Sequence, residues 1–285
     1  MTVGVLAHLF GKMSYKEIAY KTGAKNFKHV QLALWKAFND YDFTKPGVLS
    51  PGLALDIAEE FDKHKVSISV LACYLHFFHE DEAVRRENLE RFKELIRHAR
   101  FFGAPMVACE VGKVTNKATG EEWSILREGL EELVEEAEKW GVYIGIEPAN
   151  EHLIGTAESL SQMLEEVPSP NIGVVLDPGN LVHTNNFSQQ DEVIRQAFDL
   201  LGERIIACHA KDRIIREDGE IQTVVPGKGD INYELYMELL EQYKPQVQII
   251  MEAAKEHQML EARSYIEGIR EKARWKTSVS DNILK

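Results

Sequence analysis

Short apolar runs rich in β-branched residues alternate along the chain with longer stretches whose apolar positions recur every three to four residues. The runs begin near Val3 (VGVLAH), His29 (HVQLALW), Val66 (VSISVLACYLH), Pro105 (PMVACEVG), Val142 (VYIGIEPAN), Asn171 (NIGVVLDPGN), Arg204 (RIIACHAKD) and Val247 (VQIIMEAA). Runs of this length with this composition predict strands, and the longer stretches predict helices. Helix starts are marked. Ser14 stands three residues before Glu17, a capping box, and Ser50 precedes Pro51. Thr156 and Ser188 are further candidate caps. Leu89, Phe92, Leu95, Ile96, Ala99 and Phe102 form one stripe at helical spacing, and Leu130, Leu133, Val134, Ala137 and Trp140 form another. The charged run Glu128 to Lys139 then reads as the solvated face of that second helix.

Eight strand–helix units with no composition break predict parallel pairing, right-handed crossovers and closure into a single (β/α)8 TIM barrel. The rival, an open doubly wound sheet, usually carries a glycine-rich phosphate turn after its first strand. Here that turn is His8-Leu9-Phe10-Gly11-Lys12, which has no such pattern. The barrel is expected over residues 1–275, with 276–285 as a polar C-terminal tail.

Composition narrows the function classes. The chain has 285 residues, 33 Lys plus Arg against 46 Asp plus Glu, and a net charge of −13. That balance argues against broad contact with nucleic acid or an anionic membrane. No stretch approaches the roughly 18 apolar residues that span a bilayer. Met1 to Phe10 lacks the features of a signal peptide. Cys73, Cys109 and Cys208 lie in apolar runs, which suits reduced thiols and a cytoplasmic location.

In such a barrel the chemistry belongs at the carboxyl ends of the strands. The fifth run ends in Glu147, the sixth in Asp177, the seventh in His209 and the eighth in Glu252. A carboxylate buried alone costs several kcal/mol or stays protonated, and three around one point also repel. A divalent cation relieves both problems. Three oxygens and one imidazole suit Mn²⁺, Mg²⁺ or Co²⁺, with catalytic Zn²⁺ also admissible.

The succession GIEPAN, VVLDPGNLV, ACHAKD, PGKGDINY and IIMEA resembles the xylose isomerase-like TIM-barrel superfamily of sugar isomerases and epimerases. The resemblance implies one divalent metal held by Glu147, Asp177, His209 and Glu252. It also implies that Glu147 and Glu252 double as the acid–base pair, as the corresponding carboxylates do in ketose epimerases. The reaction would remove a proton beside a carbonyl of a polyhydroxy ketone or aldehyde, phosphorylated or not, through a metal-stabilised enediolate. Three strands apart in a ring of eight, the two glutamates stand roughly 135° apart around the mouth and can flank a substrate. Where ketose epimerases commonly carry a histidine, three residues after the sixth-strand Asp, this chain has Asn180, and the nearest histidine is His183. Arg213 and Arg216 both lie near the place of a substrate-binding arginine.

Further substrate contacts are expected from the other strand ends. Lys211 shares a strand face with His209 and could hold a substrate hydroxyl or phosphate, or pair with a ligand carboxylate. His8, Trp35 (or its neighbour Lys36) and His76 end the first three runs, and each could line the mouth or simply pack. Glu110 ends the fourth and could be a base or an ion-pair partner. His152 sits in a loop without assigned chemistry. Pro226-Gly227-Lys228-Gly229-Asp230 reads first as a tight turn, second as an anion or polyol contact. The expected ligand is a small carbohydrate or sugar phosphate, and homo-oligomerisation is compatible with the fold. Three other functions share these features: an inosose-dehydratase-like lyase, an endonuclease IV-like DNA repair enzyme, and a sugar-binding barrel without catalysis. The second needs more histidines on early strands than His8 and His76 and is opposed by the negative charge.

Overall fold

The computed structural model describes residues 3–115 and 119–283. All eight apolar runs are strands: β1 (Gly4–Leu6), β2 (His29–Leu32), β3 (Ser67–Ala72), β4 (Met106–Cys109), β5 (Tyr143–Ile146), β6 (Ile172–Leu176), β7 (Ile205–Ala210) and, after an inserted pair β8 (Asp212–Ile215) and β9 (Ile221–Val224), β10 (Ile249–Met251). They close in the order β1-β10-β7-β6-β5-β4-β3-β2, every pairing parallel, as the (β/α)8 expectation requires. Closure leaves no edge strand in the barrel.

The helices are α1 (Tyr15–Ala24), α2 (Leu34–Ala37), α3 (Pro51–Lys63), α4 (Glu82–His98), α5 (Glu122–Trp140), α6 (Ala157–Glu166), α7 (Pro178–Leu181), α8 (Gln190–Leu201), α9 (Tyr233–Tyr243) and α10 (Met259–Ile283). Ser14 and Glu17 form the expected capping box, Ser50 accepts from the Leu53 N–H, and Thr156 caps α6 reciprocally with Ser159. Ser188 departs from expectation. It lies inside a single 3-10 turn, Phe187–Gln189, and α8 starts at Gln190 with no side-chain cap. The backbone of α10 continues past residue 276 without a break.

The main core lies between strands and helices and includes both helical stripes except Trp140. Trp140 stays partly exposed, its indole N–H donating to Glu136 (3.0 Å) with the Arg100 guanidinium over its ring. Glu128, Glu131, Glu135, Glu138 and Lys139 are exposed on α5, as read from the sequence. Glu132 and Glu136 instead pair with Arg86, Lys93 and Arg97 of α4. A smaller cluster of Val70, Met106, Ala108, Val175 and Ala207 fills the barrel interior. Space there is tight: a Cβ on Gly173 would lie 2.7 Å from Ile206 Cγ2.

The β8–β9 hairpin was not anticipated. Its signal is the Asp218-Gly219 dipeptide between alternating runs, where Gly219 takes φ +83°. It was masked because the charged RED segment reads as loop.

Candidate metal centre

Parallel closure sends every strand's carboxyl end to one rim, so the four expected side chains meet. Glu147 directly follows β5, Asp177 follows β6, His209 lies within β7 and Glu252 follows β10. One ligand atom from each lies within 4.8 Å of all the others. Glu147 is 2% exposed, Asp177 and His209 not at all, and the Glu252 side chain 13%. His209 Nδ1 is 3.0 Å from Glu147 Oε1 and 2.9 Å from Glu252 Oε1.

The other ring nitrogen fixes the imidazole. Gln31, fully buried on β2, donates from Nε2 to the Tyr74 hydroxyl (2.8 Å), which turns its Oε1 toward His209 Nε2 at 2.8 Å. An amide oxygen only accepts, so Nε2 carries the proton, and Nδ1 offers its lone pair to the centre once the ring is neutral.

Charge is concentrated here. Burial pushes the Glu147 carboxyl up from its ordinary range, and pushes Asp177 up to about 6 against the pull of Lys211. Burial also acts against charge on Glu252 and on Lys211, but their mutual ion pair (2.8 Å) outweighs it, holding Glu252 well below and Lys211 above its usual value. His209 is likewise raised despite burial, because Glu147 and Glu252 face it.

The donor set fits a divalent cation. Asp177 Oδ1 accepts from the Gly179 N–H (2.8 Å), but buried Oδ2 accepts no hydrogen bond and has only Lys211 Nζ at 3.5 Å. One proton on Nδ1 cannot serve two glutamates, and Lys211, shared with Glu252, leaves Asp177 Oδ2 without a hydrogen bond among the described residues. A hard, oxygen-rich set with one imidazole and no thiolate is suited to Mn²⁺, Mg²⁺, Co²⁺ or catalytic Zn²⁺.

The remaining expected residues divide. Asn180, in α7, donates to Glu147 Oε1 (2.6 Å). Lys211 takes the ligand-pairing alternative, and Gly179 makes room for it, since a Cβ there would be 2.6 Å from Lys211 Cγ. His183 is not brought to the quartet: it follows α7, and its backbone N–H donates to Asn186 Oδ1 (2.8 Å). Arg213 tethers the hairpin, donating to Gly179 O and Thr223 Oγ1 (both 2.7 Å), while Arg216 pairs with Asp218 at the hairpin tip. His8 is near enough to feel Glu252 and His209, and burial lowers its pKa to about 4. Trp35 lies beneath the Lys36 ammonium, which is 5.3 Å from its ring. His76 stands apart with Phe78 and His79, on the wall of a cavity of about 580 Å³. Glu110 is held up by burial, its nearest cationic candidate being His152 Nε2 at 3.9 Å. The amides of Gly227, Gly229 and Ile231 all donate to buried Asp212, so the 226–230 loop spends its donors on the protein's own carboxylate.

Gln31, Tyr74 and Asp212 were missed. Gln31 and Tyr74 sit within or just after apolar runs and carry no charge. Asp212 was hidden beside the hairpin that it organises.

Comparison with known proteins agrees with the barrel fold. An inosose isomerase of Bacillus velezensis is 27% identical over 206 residues, 69% of this chain and 70% of its own. A D-tagatose 3-epimerase-like protein superposes with a TM-score of 0.76 at 22% identity, over 97% of this chain and 100% of its own. A xylose isomerase-like TIM-barrel protein from Mycobacterium smegmatis, in complex with magnesium, does so at 0.76 and 16%, over 95% and 97%. The structural likenesses establish the fold. The family model for the xylose isomerase-like TIM barrel matches residues 7–278, nearly the whole barrel and the entire quartet, and the chain belongs to that family.

Proposed function

We propose that this protein is a divalent-metal-dependent isomerase or epimerase of polyhydroxy ketones or aldehydes that works by removing a proton from the carbon beside the carbonyl. The observation that carries this reading is the placement of two glutamate carboxylates, Glu147 and Glu252, on either side of one point, at 3.0 and 2.9 Å from the same His209 nitrogen. Glu147, Asp177, His209 and Glu252 would hold the cation, with Mn²⁺ the first choice and Mg²⁺, Co²⁺ or Zn²⁺ also suited. When bound, it supplies positive charge where the carbonyl oxygen becomes negative.

The protein's own residues supply the proton transfers. One glutamate accepts the C–H proton, and the electron pair of that bond moves toward the carbonyl oxygen to give an enediolate. The other glutamate returns a proton to the opposite face of the same carbon for epimerisation; for isomerisation the proton goes to the former carbonyl carbon while the hydroxyl proton of the reacting carbon passes to the former carbonyl oxygen. Lys211 holds Glu252 in place and Asn180 holds Glu147, so neither carboxylate must be ordered during the reaction. The inosose isomerase and epimerase-like relatives support a carbohydrate substrate. The three buried free cysteines suit the reducing cytoplasm, where we place the activity. No described helix is long and apolar enough to cross a membrane.

Incubating the metal-loaded protein with a panel of neutral and phosphorylated ketoses in heavy water tests this proposal. Solvent deuterium should enter the substrate carbon beside the carbonyl, and Glu252→Gln should slow the exchange by about 10²-fold or more. No deuterium in any member of a broad panel would sink the reading. An enone absorbance would instead identify a lyase.

A further inference from the structure

Lys36 has a feature that the proposed proton transfers do not use. It lies in α2, immediately beyond β2 at the barrel mouth, and is only half exposed. Its ammonium rests on two aromatic faces, 4.0 Å from the Tyr74 ring centroid and 5.3 Å from that of Trp35. Its contact with Tyr74, which is itself bonded to interior Gln31, places it over the mouth rather than on the outer wall. Among the described residues, none forms an ion pair or hydrogen bond with its Nζ. This is unusual here. Lys211, which is more buried, and Lys93, which is also half-buried, are each held by carboxylates. Among the described residues, no carboxylate reaches this amine, although the sequence carries 46 acidic residues.

Aromatic faces steady an ammonium but use none of its three N–H donors. A half-buried cation with all its donors unspent is matched by a ligand that brings negative charge, and charge-assisted hydrogen bonds are about twice as strong as neutral ones. Its position is also fixed relative to the quartet. Beneath it, Tyr74 contacts Gln31 (2.8 Å) and Gln31 contacts His209 (2.8 Å), so one phenol ring and one amide separate Lys36 from the candidate centre. A short carbon chain with its carbonyl end between Glu147 and Glu252 can extend across that gap. Nearby, buried His8 Nδ1 also has no hydrogen-bond partner among the described residues.

We propose that Lys36 receives an anionic group at the far end of the substrate, so that the favoured substrate is an acidic polyhydroxy carbonyl compound, a sugar phosphate or a keto sugar acid, rather than a neutral sugar. This rests on the isomerase reading above and specifies its substrate class.

Calorimetric titration of the full chain, loaded with Mg²⁺, tests the proposal with three probes: D-fructose, D-fructose 6-phosphate and 5-keto-D-gluconate. At least one acidic ketose should bind about 10-fold or more tightly than the neutral one, and the two acidic arms distinguish phosphate from carboxylate. Lys36→Met should remove most of that preference, and Lys36→Arg should keep it. Raising the salt concentration should weaken the acidic ligand selectively. Equal binding of neutral and acidic probes, no binding of any probe, or an equal loss for both in Lys36→Met would overturn the assignment. In that event Lys36 only offsets the charge of Glu110. Deuterium entering neutral ketoses in heavy water would then leave the catalytic reading standing.

Discussion

At the scale of the residue, the centre depends on one imidazole held in one orientation. Gln31 Oε1 accepts from His209 Nε2, and this contact holds the ring with Nδ1 facing Glu147 and Glu252. Gln31→Leu should therefore weaken metal affinity by about 10- to 100-fold while leaving the four ligands in place. Gln31→Glu, which keeps an acceptor at that position, should recover most of the loss. Titration with Co²⁺, followed by its visible spectrum, measures both, and unchanged affinity in Gln31→Leu would show that packing alone orients the ring. The four candidate ligands were legible because each is an ionisable residue at the end of an apolar run. Gln31 was not, since an uncharged amide inside a strand is indistinguishable by pattern from an interior filler. His183 is a different case. Its residue type fits the chemistry, but α7 ends before it and Asn180 takes the place beside Glu147.

At the scale of the element, α4 and α5 are joined by a charged seam as well as by their stripes. Glu132 receives a bidentate pair from Arg86 (2.6 and 2.8 Å) and a further contact from Lys93. The Arg86 hydrogen bond lowers its pKa to about 2, with Lys93 adding to the effect against a modest burial penalty. The folded state thus binds the Glu132 proton less readily than the unfolded chain. Its stabilisation is present above the ordinary glutamate range and fades as the pH falls from there through about 2. Allowing for solvent screening of a partly exposed side chain, Glu132→Gln should cost about 1–2 kcal/mol at pH 7 and almost nothing at pH 2. Urea unfolding at the two pH values checks this, and an equal cost at both would locate the effect in packing. Pattern reading recovered the eight barrel strands and three of the four proposed helix caps, which follow from local rules. It missed the β8–β9 hairpin, whose alternating faces are only partly buried and mix charge with apolar residues.

At the scale of the whole molecule, the quartet is a local fault in stability that a cation would repair. Buried Asp177, with its pKa raised to about 6, binds its proton more tightly in the folded state than in the unfolded chain, so its opposition to folding grows as the pH rises from the ordinary aspartate range to about 6 and is fully present above that. Metal at about 100 times its dissociation constant should stabilise the protein by about 2.7 kcal/mol and raise the melting temperature by roughly 5 °C, reversibly with chelator. Asp177→Asn should melt above the metal-free wild type and lose the metal-dependent rise. A variant that melts lower without metal, yet still responds to it, would contradict this account.

The sequence by itself determined the eight-fold alternation, the strand-end position of each ionisable ligand and the negative charge, because these follow from spacing and composition along the chain. Only the tertiary structure decided which groups meet. Gln31 and His209 are 178 residues apart, and Lys36 rests on the Tyr74 ring with no carboxylate partner among the described residues. Such contacts are set by barrel closure and by the direction of each side chain, and neither is written in the local pattern.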